Sequence, residues 1–238
     1  MNQAEFFKDF LTFQRISTRG DFPPLSLEEI WPCLNDRTET TAFDAQYIYH
    51  TAWAARVLAE TRPDVHVDIS SFVFFPAMMS AFVPIKFYDF RPSAMKLPGL
   101  ECGAADILAL PFESGSIRSL SCMHVVEHIG LGRYGDPIDP DGDIKAIKEL
   151  KRVLARNGNL LFAVPMGRPR IQFNAHRIFS YDQIMDGFSG LELRELALVT
   201  DTVQLGNKLQ YGSLIRPATR ELANRQDHGC GCFWLTKT

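Results

Sequence analysis

The sequence predicts an α/β fold built on a doubly wound, mostly parallel sheet of seven strands, with a helical N-terminal extension. Three observations predict it. From Val65 onward, short apolar runs alternate with helical stretches, the pattern of strand-helix-strand units. Seven such runs can be placed, enough for a doubly wound sheet. Acidic residues stand at the ends of the first runs, where an open parallel sheet binds its ligands.

Composition agrees. The chain has 238 residues, 46% hydrophobic, 22% charged and 11% aromatic, which excludes a disordered or fibrous protein. A chain of this length buries roughly 70 to 75% of its unfolded surface and needs neither disulfides nor a metal to fold. With 25 Lys+Arg against 28 Asp+Glu the net charge is -3, so there is no broad cationic field for nucleic acid. The five cysteines, at 33, 102, 122, 230 and 232, form no paired metal spacing and fit a reducing compartment. The first residues mix charges into apolar positions, and no run of 18 apolar residues occurs later. The expectation is a cytoplasmic, non-membrane protein acting on a small molecule.

The elements come in order. Phe6, Phe10, Phe13 and Ile16 recur at helical spacing before a break from Gly20 to Pro24. A second helix is predicted from Phe43 to Glu60, with Phe43, Tyr47, His50, Ala54 and Val57 on one face, and Pro63 stopping it. Residues 1–63 then form a helical cap, and residues 64–238 one α/β unit. Either the cap covers an edge of the core, or Tyr47 and His50 face a ligand pocket. Strands are expected at HVDIS, PIKFYDF, Gly103 to Ile107, SIRSLSCM, NLLFAVP, LELRELALV and CFWLTK. Between the fourth and fifth, Asp143 is the expected N-cap of a helix with Ile144, Ile147, Leu150, Val153 and Leu154 on its apolar stripe, ended by Asn157-Gly158. Residues 203–228 are polar and read as an insertion before the last strand.

The candidate site is assembled from the residues at the strand ends. Asp68 ends the first strand, Asp89 the second, Asp106 comes after the third, and His124 closes the fourth. Asp89 lies 21 residues beyond Asp68, close to the ~20-residue interval at which a carboxylate reaches a ribose diol. A carboxylate suits that role because it accepts hydrogen bonds from both vicinal hydroxyls. Asp106 could then accept from the exocyclic amine of adenine. Each aspartate taken singly is equally a turn or cap residue.

After the fourth strand come Glu127-His128 and a Gly- and Pro-rich loop to Asp143. His128 is the candidate base, histidine being a common general base, with Glu127 beside it; the alternative is a histidine that caps a helix or hydrogen-bonds to a strand. Arg133, Tyr134 and Asp136 in the loop, with His176 and Arg177 after the fifth strand, would suit a polar, anionic or sugar-like acceptor. Arginines that only pair with the acidic loop are the alternative. Asp139, Asp141 and Asp143 alternate like ligands of a hard cation, but Ile144 stands where a calcium loop needs glycine, so a turn is preferred and no metal is expected. Cys230 and Cys232 fall on one side of the last strand as a reduced structural pair.

Two segments, DILALPFESGSIRSLSCMHVVEHI and IKAIKELKRVLARNGNLLFAVP, resemble the class I S-adenosylmethionine (SAM)-dependent methyltransferases, over roughly residues 64 to 200. More narrowly, HVVEHIGLGRYGDPIDPDGD, FNAHRIF and HVDISS resemble a small methyltransferase-fold family with no settled activity. The resemblance implies a Rossmann-like sheet and SAM as cofactor, held by Asp68, Ser70, Ser71, Asp89, Asp106 and His124. It also implies methyl transfer to a small polar acceptor, at oxygen, with Tyr47 and the loop residues on the acceptor. The first loop departs from the family's Asp-x-Gly-x-Gly: the chain reads Asp68-Ile69-Ser70-Ser71-Phe72, with Ser70 and Phe72 in the glycine places. That loop is expected to take another path, with Phe72 turned into the core or over the pocket. The competing reading is a methyltransferase fold that has lost turnover and serves as a binding or assembly module. A nicotinamide oxidoreductase is disfavoured, since no GxGxxG comes after the first strand.

Overall fold

The computed structural model describes residues 1–205 and 208–238. The chain divides into two compact units, Met1–Phe43 and Asp44–Thr238. In the first, helix α1 (Gln3–Ile16) starts in a capping box between Asn2 and Glu5 and buries none of its residues. Met1 donates its amino group to the Leu34 carbonyl at 3.1 Å.

The second unit opens with α2 (Ala45–Thr61), capped by the Asp44 side chain and closed by Arg62 in the left-handed region. His50, Trp53, Ala54, Val57 and Leu58 are its buried face, at the three- and four-residue spacing of one helical stripe. The division between units thus falls before α2, not at residue 63, and Phe43 stands outside the helix it was expected to open.

The sheet strands are β1 (His66–Ile69), β2 (Ile85–Asp89), β3 (Leu100–Ala104), β4 (Ile117–Met123) and β5 (Leu154–Met166), with β8 (Leu191–Val199), β11 (Leu214–Ile215) and β12 (Gly229–Lys237). Short hairpins β6 (Arg170–Gln172)/β7 (His176–Ile178) and β9 (Val203–Leu205)/β10 (Lys208–Gln210) stand outside it. Helices α3 (Phe74–Met79), α4 (Gly142–Val153), α5 (Tyr181–Gly187) and α6 (Arg220–Asn224) complete the unit.

The main sheet runs β11-β8-β12-β5-β4-β1-β2-β3. Strands β1 to β5 pair in parallel, and β12 enters antiparallel between β5 and β8. It therefore has eight strands; the eighth, β11, is a two-residue edge pairing within the stretch read as an insertion. Alternation along the strands feeds two cores. Leu160, Phe162, Val164, Phe233 and Leu235 pack on one face, and Leu161, Ala163, Cys230 and Cys232 on the other with Trp53 of α2. Both faces are covered, which is why β5 reads as a continuous apolar run.

Three local expectations are corrected. The third strand lies earlier than Gly103–Ile107, because it is a half-exposed edge with no apolar run to mark it. Helix α4 is preceded by Asp141, not Asp143, and Ile144 is 49% exposed, off the apolar stripe. Asn157-Gly158 does not end the helix: Leu154 already begins β5, and Asn157 takes φ 58° within it. No helix among the described residues is long and apolar enough to cross a membrane.

Candidate functional site

The carboxyl ends of β1, β2, β3 and β4 open onto one cleft. Ser70, Asp89, Asp106, Ile107, Leu108, His124, Val125, His128, Tyr134 and Asp136 line it, together with Arg91. Asp89 is the last residue of β2; its Oδ1 accepts from the Arg91 amide at 2.7 Å, and Oδ2 has no hydrogen-bond partner among the described residues. Asp106 lies just beyond β3, with Oδ1 accepting from the Leu108 amide at 2.9 Å. Ile107, Leu108 and Val125 supply apolar walls to the same cleft.

Asp68 does not share that cleft. It is fully buried, its Oδ1 accepting from the Ser71 amide at 3.0 Å and its Oδ2 from the Ser121 hydroxyl at 2.6 Å. Ser121 in turn receives His66 Nε2 at 2.8 Å, and Ser119 donates to His66 Nδ1 at 2.8 Å. Burial raises the Asp68 pKa to about 6 against these hydrogen bonds, and burial drives the His66 pKa down to about 3. The two acids at the ends of β1 and β2 therefore have separate jobs: Asp68 ties the β1 loop to β4, and Asp89 faces the cleft. Ser71 is buried too, its hydroxyl accepting from the Met123 amide at 3.1 Å.

The first loop keeps a glycine-like turn at one place. Ser70 takes φ 56° at the end of β1, with its amide donating to the Tyr88 carbonyl at 2.8 Å. Phe72 does not need positive φ and fills neither the core nor the cleft; it is 40% exposed, its ring 4.9 Å from that of Tyr47. Tyr47 also stacks on His124 at 5.4 Å, so it stands behind His124 without lining the cleft.

The fourth strand hands over to a cluster of histidines. His124 takes φ 57°, its Nδ1 2.8 Å from Glu127 Oε1 and its Nε2 3.2 Å from Cys230 Sγ. Burial opposes charge on His124, but Cys230 and Glu127 outweigh it and hold its pKa well above the ordinary value. Glu127 is 1% exposed, with Oε2 unpartnered among the described residues. His128 donates Nδ1–H to the Ala175 carbonyl at 2.6 Å, and its Nε2 lies 3.8 Å from Glu127 Oε1. His176 stacks on His228 at 4.9 Å and stands 6.4 Å from His128; burial lowers the pKa of both His176 and His228. His50 stands 4.8 Å from His124, ring to ring. Five of the six histidines in the chain thus gather beside the cleft. The sequence signals His128, His124 and His176, and offers His50 as one of two alternatives. It gives no sign of His228 or of the pairing with Cys230, because β12 reaches the site only by sheet topology.

The loop after β4 is held by residues that the sequence offered to an acceptor. Asp136 takes the amides of Gly130 at 2.7 Å and Tyr134 at 3.2 Å, so it organises the loop even where it borders the cleft. Arg177 is 5% exposed and donates to the carbonyls of Ile129 at 2.7 Å and Pro140 at 3.2 Å. Its donors face the loop and not the cleft. Arg133 donates to the Ala175 carbonyl at 3.0 Å, while Tyr134 carries the Arg91 guanidinium 4.4 Å over its ring. Asp139 is joined to Lys145 at 2.6 Å and its Oδ1 takes the Asp141 amide, the turn preferred over a calcium loop.

Solved structures share this architecture. A putative methyltransferase from Bacillus halodurans is similar over 79% of this chain and 99% of its own, with 12% identity and a TM-score of 0.53. The N-methyltransferase NodS from Bradyrhizobium japonicum, solved with S-adenosyl-L-homocysteine, is similar over 81% of this chain and 87% of its own, with 13% identity and a TM-score of 0.53. The fold is that of the class I SAM-dependent methyltransferases. Residues 114–215 also match a family described as a Caenorhabditis protein of unknown function, DUF268. No curated protein matches the chain. Identities this low carry the methyltransferase fold and leave the chemistry to the residues themselves.

Proposed function

We propose that the chain binds SAM in the cleft at the ends of β1 to β4 and transfers its methyl group to a hydroxyl of a small polar acceptor. The observation that carries this reading is the pair Asp89 and Asp106 on one cleft that Ile107 and Leu108 also line. That set fits an adenosine: a free carboxylate oxygen for the ribose diol, an apolar slot for a flat base, and a second carboxylate for an amine on the base. Ser70 at φ 56° keeps the β1 turn clear beside it, as glycine does in the wider family, and Phe72 does not fill the space. This removes the steric objection to SAM binding that the missing glycines raise. When bound, SAM supplies an electrophilic methyl on a sulfonium.

The chain's own part is positioning and proton removal. The Ala175 carbonyl holds the proton of His128 on Nδ1, which leaves the Nε2 lone pair as acceptor on a residue that lines the cleft. Nε2 takes the acceptor's hydroxyl proton, and Glu127 Oε1 at 3.8 Å stabilises the charge the ring gains. Arg91 and Tyr134 at the mouth offer cationic and hydrogen-bonding groups to a polar or anionic acceptor. His128→Ala is expected to leave SAM affinity nearly unchanged and to lower turnover by ~100-fold or more. Methyl transfer from labelled SAM, measured beside calorimetric binding, checks it; equal loss of affinity and turnover, or full turnover in the variant, contradicts the role.

A further inference from the structure

We propose that His50, His124 and Cys230 form a binding site for a thiophilic divalent cation, zinc above all. The site borders the cleft through His124 and does not require SAM there. One ring nitrogen each of His50 and His124, and Cys230 Sγ, lie within 4.8 Å of one another, and His124 Nε2 approaches Cys230 Sγ to 3.2 Å. A tetrahedral zinc with bonds of about 2.0 to 2.3 Å spaces its ligand atoms roughly 3.3 to 3.8 Å apart, so small side-chain adjustments close the set.

The decisive feature is His50. Its ring is fully buried, and Nδ1 donates to the Gln46 carbonyl at 2.7 Å. That bond fixes the proton on Nδ1 and leaves a lone pair on Nε2, which is buried and has no hydrogen-bond partner among the described residues. A buried acceptor aimed at another imidazole and a thiol is unfavourable as it stands, and a cation satisfies it. Both histidines are also braced as metal ligands are. His50 uses its far nitrogen on a carbonyl, His124 on the Glu127 carboxyl at 2.8 Å, and such partners orient the ring and strengthen it as a donor. A mixed imidazole and thiolate set selects zinc over magnesium or calcium, which take oxygen.

Coordination displaces two protons: the Cys230 S–H and the His124 Nε2–H bonds break, the metal–sulfur and metal–nitrogen bonds form, and both protons leave to solvent. Three protein ligands leave the fourth position for water. The three come from α2, from the residue after β4, and from β12, so the metal would tie three separated stretches of the chain at one point.

The test uses the full chain in a Cys33→Ser, Cys102→Ser background, which removes the cysteines that are not fully buried. The protein is chelator-treated, kept in a non-thiol reductant, and titrated with cobalt(II) and then zinc(II). The expected result is one equivalent of cobalt with thiolate charge-transfer and tetrahedral ligand-field bands, displaced by zinc, and a melting temperature that rises until one equivalent is bound. Cys230→Ser should abolish the charge-transfer band, and His50→Gln the stoichiometric binding. Circular dichroism shows whether each variant is folded. Glu127→Gln, which keeps all three ligands, should weaken zinc about 10- to 100-fold and gives the reading if a ligand variant fails to fold. Absence of stoichiometric binding, or binding undiminished in all three variants, overturns the proposal.

Discussion

Asp68 shows how one side chain can be read correctly for its position and wrongly for its task. An aspartate ending the first strand looks like a ligand-facing acid, yet here both oxygens are taken by Ser71 and Ser121 in the interior. Its pKa in the folded protein, about 6, lies above the ordinary carboxylate value of 3.8. The folded state therefore holds the proton more tightly than the unfolded state. Stability from this group is present at low pH and lost as pH rises from about 4 through 6. His66, with its pKa depressed to about 3, acts in the opposite sense and loses stability as pH falls below 6.5. Comparison with Asp68→Asn cancels the histidine. The stability of the wild type relative to Asp68→Asn should improve by about 2 kcal/mol between pH 7 and pH 4.5. Urea unfolding at the two pH values checks it; a difference that does not change with pH contradicts the buried, protonatable aspartate.

At the scale of elements, the loop from Gly130 to Asp141 has no helix or strand of its own and is held by side chains. Arg177, from β7, reaches the Pro140 carbonyl within it and the Ile129 carbonyl just before it, and lies 3.6 Å from Asp143 at the start of α4. Asp136 gathers the amides at the other end of the loop. The glycines are placed by need: a side chain at Gly130, φ 80°, would collide with the Asp139 carbonyl. Arg177→Met removes two buried hydrogen bonds and leaves carbonyls unpaired, so it should cost about 2 to 4 kcal/mol. Arg177→Lys should recover less than half of that, because an ammonium lacks the fork that spans both carbonyls. Chemical denaturation of the three proteins gives the answer; a loss under about 0.5 kcal/mol, the range of ordinary surface changes, would place Arg177 outside the loop's support.

Across the whole molecule, the sequence reveals the features that periodicity and strand ends carry. Asp89 is legible because an apolar run marks where its strand stops, and Leu161, Phe162 and Ala163 announce a strand buried on both faces. Edge structure is harder to find. Leu100–Ala104 is half exposed and Leu214–Ile215 too short, so neither leaves a pattern; the third strand is displaced in the sequence reading and the eighth is absent from it. Ser70 at positive φ could not be foreseen from a residue that rarely adopts it. His228 and Cys230 lie more than a hundred residues beyond His124 and reach it only because β12 inserts antiparallel beside β5. The cleft that these strands create is where SAM should bind, and calorimetric titration of the full chain with SAM, wild type beside Asp89→Ala, is the decisive check. The expected result is one site in the wild type, weakened by about 1.5 to 3 kcal/mol in Asp89→Ala with the fold intact, the scale for losing hydrogen bonds to a charged group. No heat of binding at millimolar SAM, or equal affinity in both proteins, would contradict it.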